Sequence, residues 1–295
     1  MVQPSGVSTP RSINLFTQHS RHWRDNRYVY PVISRRSRGL SVGVNLNPDK
    51  VCNFDCIYCC VDRTTMPGRV EVDLPALERE LNHMLALVRS GELWRESPFD
   101  QTPAELRRLN DVAFSGDGEP TSFLRFEEAC RIAAGALATA GLNDAKIVVI
   151  TNATLFHQPR VSAALDYLDT VNGELWAKLD AGTEAYYRLV ERTTVPFQRI
   201  LDNLLLAGRK RAIVIQSLFM RVDGRLPPVE EVAAYVGRLE HLRRAGCGIK
   251  LVQVYTIARQ TAERFVSPLS RPEVDAIATA VARAGLPVEA FYGPD

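Results

Sequence analysis

The sequence predicts an α/β fold of parallel strands joined by crossover helices, and three observations carry that reading. From the second strand onward, the centres of short apolar runs recur every 28 to 39 residues, the length of a strand–helix–strand unit. Between them lie stretches whose apolar residues repeat at helical spacing. Polar or glycine-bearing segments follow the carboxyl ends of the runs, where such folds place their ligand sites. Units of this kind wind right-handed and build a parallel sheet. Periodicity alone leaves an open doubly wound sheet and a barrel equally allowed.

The first run, Ser41-Val42-Gly43-Val44, leads as a strand into a cysteine-bearing loop. Asp73 then caps a helix with Pro75 in its first turn and Leu77, Leu81, Met84, Leu85 and Val88 on one face. A buried strand over 111–115 ends in Gly116-Asp117-Gly118-Glu119-Pro120-Thr121. A helix over 123–140 follows, with Phe126, Ala129, Cys130, Ala133 and Leu137 on its apolar stripe. The third strand, 146–150, ends in Thr151-Asn152-Ala153. The fourth, 174–180, carries Lys178 and Asp180 on one face, because strand side chains alternate. Short helices are predicted over 183–190 and 197–206, a fifth strand over 212–219, and a helix over 229–244 stopped by Gly246. A sixth strand over 249–255 and a helix over 272–284, stopped by Gly285, complete the pattern. No repeat or linker divides the chain, so residues 41–295 are read as one core with its C-terminal helix, and 1–40 as a basic N-terminal arm.

The chemistry is expected at Cys52, Cys56 and Cys59, spaced C-x₃-C-x₂-C on one short loop. Three thiolates there can converge on one centre, and soft sulfur donors select iron–sulfur clusters, zinc or Cu(I) over hard cations. A closed zinc site or an ordinary four-iron cluster takes four protein ligands. The other cysteines and the five histidines offer no second pair at metal-binding spacing, so the site reads as open at one coordination position. With six cysteines in the chain, a given one is followed by two more at fixed offsets only about once in 2,000 by chance. Cys130 falls on an apolar helix stripe, Cys247 at the amino end of the sixth strand, and Cys60 beside the third ligand as a small loop residue or a thiol facing the site.

This cysteine loop, with aromatic Tyr58 just before the last cysteine, resembles that of the radical S-adenosylmethionine (radical SAM) superfamily. The resemblance implies a partial (β/α)6 TIM-like barrel, and six strands are what the pattern contains. It implies that Cys52, Cys56 and Cys59 hold three irons of a 4Fe–4S cluster and that SAM chelates the fourth. An electron from an external flavodoxin- or ferredoxin-like donor would then cleave SAM to a 5′-deoxyadenosyl radical that abstracts hydrogen. Gly116-Asp117-Gly118-Glu119-Pro120 resembles the family's GGEP segment, which addresses the methionyl amino group of SAM. Asp117 stands where many members have glycine, so Gly118 and Glu119 carry over more firmly than Gly116. Thr151-Asn152 resembles the family's TN segment, and Lys178 and Asp180 are placed toward the SAM carboxylate or ribose, or as an ion pair closing the barrel top. Asn45-Leu46-Asn47-Pro48-Asp49-Lys50 and Lys178-Leu179-Asp180-Ala181-Gly182-Thr183 further resemble the branch that includes wyosine-type tRNA-modifying enzymes, although no cysteine precedes Cys52 to supply their second cluster.

Composition bounds the rest. Hydrophobic content of 46% and charged content of 24% are those of a soluble globular protein. No apolar run is long enough to span a membrane and no secretory signal is visible, so a cytoplasmic protein is expected. Net charge is only +2, but residues 1–40 hold seven arginines (Arg11, Arg21, Arg24, Arg27, Arg35, Arg36 and Arg38) against Asp25, interleaved with Phe16, Trp23, Tyr28 and Tyr30. Arginine with aromatics suits phosphate contact and base stacking, which makes tRNA or another RNA the first substrate class to consider. The alternatives from other classes are an iron–sulfur electron-transfer protein and a zinc-dependent RNA-binding protein.

Overall fold

The computed structural model describes residues 23–65, 68 and 70–293; Arg11, Phe16 and Arg21 of the basic segment lie outside them. In chain order the strands are β1 (Val29–Ser34), β2 (Gly39–Val44), β3 (Leu109–Phe114), β4 (Lys146–Thr151), β5 (Gly173–Lys178), β6 (Ile213–Leu218), β7 (Met220–Val222), β8 (Ile249–Tyr255), β9 (Val266–Pro268) and β10 (Val288–Phe291). The α-helices are α1 (Leu74–Ser90), α2 (Phe126–Ala140), α3 (Pro159–Leu168), α4 (Glu184–Glu191), α5 (Phe197–Lys210), α6 (Val229–Arg244) and α7 (Arg271–Arg283). One eight-stranded sheet has the order β1-β2-β3-β4-β5-β6-β8-β10, and β7 and β9 form a separate antiparallel ribbon. From β2 to β10 every neighbouring pair in the large sheet is parallel; β1 alone pairs antiparallel, with Val29 opposite Val44 and Ser34 opposite Gly39. The sheet curls into a half-barrel whose edges, β1 and β10, do not pair.

Local chemistry explains the elements. β2 and β6 are buried along their whole length, as strands covered on both faces must be. Outward residues such as Val112, Val149, Ile215 and Val252 join the core beneath the helices, while Ala113, Val148, Trp176 and Val214 form a small cluster on the inner face. Asp73 caps α1 by accepting from the Ala76 N–H at 3.1 Å, and Gly91 ends it in the left-handed region at φ 76°. A capping box of Ser270 and Glu273 opens α7. At the amino ends of the strands the interior is plugged by charge: Glu174 accepts from Lys146 at 3.0 Å and from the Trp176 indole at 2.8 Å, and pairs with Lys250. The carboxyl ends are left to face a cavity. Among the described residues no helix is long and apolar enough to cross a membrane.

Four features depart from the sequence reading. Val29–Ser34, expected within the N-terminal arm, is strand β1 and belongs to the sheet. α3 occupies a stretch read as connection, and β10 adds a seventh parallel strand to the six expected. α2 begins at Phe126 rather than 123, because residues 120–122 form a 3₁₀ turn. β5 ends at Lys178, so Asp180 lies in the loop beyond it.

The edge strand is tethered by one side chain. The Glu80 carboxylate, on α1, accepts from the backbone N–H groups of Arg27 and Tyr28 at 2.9 Å and of Val29 at 3.1 Å. Glu80→Ala strands these donors where β1 enters the sheet, and we expect a loss of about 1–3 kcal/mol. Urea denaturation checks this: the midpoint should fall with the slope preserved, and an unshifted midpoint would show that the tether contributes nothing.

Candidate active site

β2 ends at Val44, and the loop beyond it carries the three cysteines. Backbone bonds from outside the loop fix its path. The Asp55 N–H donates to the Glu191 carbonyl at 3.1 Å and the Ile57 N–H to the Val190 carbonyl at 2.9 Å, both at the end of α4, while the Ala262 N–H donates to the Cys59 carbonyl at 2.9 Å. Ile57 and Phe54 are buried anchors, with Phe54 edge-on to Tyr187 at 6.0 Å between centroids. Asn53 is held from two sides: Asn152 Nδ2 donates to its Oδ1 at 2.7 Å, and its Nδ2 donates to the Thr154 hydroxyl at 2.7 Å. Cys52, Cys56 and Cys59 are half-buried, none is in a disulfide, and all three line one cavity of about 310 Å³.

The loop after β3 lies directly on this one. A Cβ at Gly116 would overlap Asn45, and one at Gly118 would overlap the Val51 carbonyl oxygen and Asn47, so both positions require the bare backbone. The Asp117 carboxylate accepts from Asn45 Nδ2 at 2.6 Å, and Asn45 Oδ1 accepts from the N–H groups of Asp117 at 3.2 Å and Asn47 at 3.0 Å. Arg63 spans both loops. Its guanidinium lies 3.0 Å from Cys59 Sγ and donates to the carbonyls of Asp117 at 2.9 Å and Lys50 at 3.2 Å. Glu119 is only 2% exposed. Its carboxylate accepts from the Thr121 N–H and hydroxyl at 3.1 and 2.5 Å, the Thr151 hydroxyl at 2.6 Å and the Asn152 N–H at 2.7 Å. Burial still holds the carboxyl above its ordinary range, against these bonds.

On the far wall, Lys178 pairs with Asp180 at 2.9 Å and donates to the Tyr255 hydroxyl at 2.7 Å. Burial works against the ammonium, but Asp180 and Tyr255 outweigh it and hold Lys178 protonated well above its usual range. Asp180 also accepts from the Tyr58 hydroxyl at 2.6 Å and the Leu218 N–H at 2.7 Å. Cys56 Sγ lies 2.6 Å from the Glu191 carboxylate, and burial pushes the Cys52 thiol up to about 11.

The cavity gathers Cys52, Cys56, Cys59, Tyr58, Gly116, Gly118, Glu119, Asn152 and Lys178, and it includes Cys60, Gln216 and Tyr255. Asp180 is not in its wall: the chain has left β5 by then, and the carboxylate is spent on Tyr58, Lys178 and the Leu218 amide. Ser217 turns outward to the Tyr235 hydroxyl at 2.6 Å, and Gln253 reaches the site only through Gln216 at 2.7 Å. Cys130 and Cys247 are buried in the core. The sequence reading missed Arg63, Asn53 and Glu191, and it named Asn45 only within the segment 45–50, without a role. These are single polar residues without periodicity, and only the position of Arg63 four residues after Cys59 hinted at a role.

The residues present suit a polynuclear cluster. The fit rests on the donor set, since three free thiols, soft donors that suit iron–sulfur chemistry, line one cavity; among the described residues no group of three His, Cys, Asp or Glu side chains has the arrangement of a single-ion site. Gly118→Ala should push the two loops apart, costing about 1–3 kcal/mol by overpacking and lowering iron incorporation. Thermal denaturation with iron quantitation checks this, and a variant with unchanged midpoint and iron content would show that the contact is not needed.

The family model described as the Radical SAM superfamily matches residues 46–225, more than half of the chain and the segment that carries the three cysteines, Glu119, Asn152 and Lys178. A protein described as UPF0026 protein from Helicobacter pylori (strain ATCC 700392 / 26695) is 27% identical over 182 residues, 59% of this chain and 49% of the relative; a UPF0026 protein of Methanocaldococcus jannaschii is 27% identical over 178 residues, 59% of this chain and 46% of that one. The chain thus spans about half the length of the curated relatives it matches. Among solved structures, a radical SAM methyltransferase from Sphaerobacter thermophilus shares the fold with a TM-score of 0.60 at 15% identity, covering 90% of this chain and 69% of that one. TYW1 with a lysine-pyruvate adduct bound shares it at 0.50 and 17% identity, covering 84% and 74%. With the cysteine loop, the glycine-acid loop and the half-barrel in one place, the chain belongs to the radical SAM superfamily, a superfamily of enzymes.

Proposed function

We propose that this protein cleaves SAM reductively and uses the resulting radical to abstract hydrogen from a substrate. The observation that carries the reading is the convergence of three successive carboxyl-end loops on one cavity, presenting Cys52, Cys56 and Cys59, then Gly118 and Glu119, then Asn152. When bound, the 4Fe–4S cluster supplies an electron and a coordination position for SAM, whose cleavage yields the 5′-deoxyadenosyl radical. The electron comes from an external flavodoxin- or ferredoxin-like donor.

In this reading the three cysteines ligate iron, and Arg63 holds its guanidinium 3.0 Å from the Cys59 sulfur. Glu119 has hydrogen bonds on both oxygens yet still borders the cavity, and its remaining acceptor capacity suits the SAM ammonium. Gly116 and Gly118 present bare backbone to the cavity. Asn152 acts partly by position, since its amide braces Asn53 in the cysteine loop. Lys178 offers a cation to a carboxylate or a ribose oxygen, while Asp180 is a positioning residue that fixes Lys178 and Tyr58.

Cys56→Ala, reconstituted anaerobically with iron and sulfide, should lose the iron–sulfur absorbance and form no 5′-deoxyadenosine after reduction with dithionite. Retention of both would refute the ligand assignment, and zinc without sulfide in the isolated wild-type protein would favour a thiolate zinc protein instead. Glu119→Gln should keep the cluster and bind SAM about tenfold more weakly by calorimetry; an unchanged affinity would remove Glu119 from the SAM site.

A further inference from the structure

The cavity has a second chemical character that the SAM reading does not use. Arg35 and Arg36, from the turn between β1 and β2, and Arg259, from the segment after β8, line it together. They flank the gap between the two unpaired edges of the half-barrel, which the exposed Arg38–Glu289 ion pair bridges at 3.3 Å. Arg36 is inside the barrel, its guanidinium 4.7 Å from the Tyr255 ring centroid and 6.0 Å from that of Trp176. Tyr255 in turn holds Lys178, so the arginine wall meets the far wall of the site.

Several other arginines are spent. Arg24 pairs with Glu96, Arg63 joins the two loops, and Arg160 donates to the carbonyls of Thr121 and Phe123. Arg35, Arg36 and Arg259 have neither a hydrogen bond nor an ion pair among the described residues. The acid that Arg36 faces is Asp111, which is bonded to Ser41 and makes no ion pair. The arginines also feel one another: burial first, then Arg36 and Arg259, lower the Arg35 pKa to about 10. Three guanidinium groups sharing a partly desolvated wall with no ion-paired partner among the described residues are unfavourable, and an oxyanion with several acceptor oxygens relieves that cost through forked hydrogen bonds.

We propose that Arg35, Arg36 and Arg259 form an oxyanion subsite that holds a phosphate group of the substrate at the open edge of the half-barrel. The proposal rests on the SAM reading only in calling the bound molecule the substrate; the phosphate subsite itself requires neither cluster nor SAM. The phosphate comes from a phosphorylated small molecule or from an RNA backbone, and the two sources are separable.

The test uses the full chain without cluster, at constant ionic strength held with chloride. Calorimetric titrations with pyrophosphate, AMP and a short single-stranded oligoribonucleotide are run on the wild type and on Arg36→Gln, Arg259→Gln and Arg244→Gln. Arg244 is an exposed control paired with Glu240. At least one phosphate probe should bind the wild type and Arg244→Gln equally, and should bind Arg259→Gln about tenfold more weakly. Arg36→Gln should match Arg259→Gln, which alone suffices if Arg36→Gln unfolds. AMP binding without a gain for the oligoribonucleotide points to a small phosphorylated substrate, and tighter oligoribonucleotide binding to RNA; either supports the subsite. No probe binding the wild type, or equal binding by Arg259→Gln and wild type, overturns it. So does loss of SAM affinity in reconstituted Arg259→Gln with pyrophosphate binding intact, which would assign the arginine to SAM. A protein that binds phosphate but never cleaves SAM would overturn the proposed function and leave the subsite standing.

Discussion

The site depends on two loops from neighbouring strands lying against each other with no side chain between them. β2 and β3 are hydrogen-bonded neighbours, and the loops that leave them meet where Gly116 faces Asn45 and Gly118 faces Val51 and Asn47. Packed matter does not yield by a methyl group without cost. That contact sets the separation between the cysteines on one loop and the Glu119 carboxylate at the end of the other. Arg63 and the Asn45–Asp117 pair then fasten the two. The Asp117 that departs from the family's double glycine is accommodated because its side chain has this specific partner.

The remaining walls are arranged by buried charge. Glu119 is satisfied from β4 through Thr151 and Asn152, which couples the second and third loops. Asp180 gathers Tyr58 of the cysteine loop, Lys178 of β5 and the Leu218 amide of β6. A buried carboxylate with three partners is a rigid node, since removing one leaves charge uncompensated. The half-barrel therefore holds its carboxyl-end loops through side chains that reach from strand to strand, and the arginines at the open edge stand outside this network.

Much of the site was legible because its residues sit in short local patterns. The C-x₃-C-x₂-C spacing, the glycine-acid segment at a strand's end and the cap at Asp73 are all read within a few residues. β1 was hidden by the Arg- and aromatic-rich composition of its surroundings, and β10 by its length of four residues. α3 was hidden because it fills a ten-residue stretch between two loops. Strand alternation placed Asp180 on the face of Lys178, and the two form the ion pair given as the alternative to ligand contact, but the strand stops at Lys178 and Asp180 stays out of the cavity wall. Arg63, Asn53 and Arg259 matter through what they touch across the fold, which a single sequence does not encode locally. The basic N-terminal segment was legible in composition only: among its described residues, Arg24 and Arg38 form surface pairs while Arg35 and Arg36 line the cavity.

The central claim is that three thiolates hold a cluster whose remaining iron is open to SAM. The most direct measurement is electron paramagnetic resonance of the reconstituted, dithionite-reduced protein before and after SAM is added. The account predicts a reduced-cluster signal whose g-values shift when SAM binds. A cluster signal that SAM leaves unchanged would contradict it.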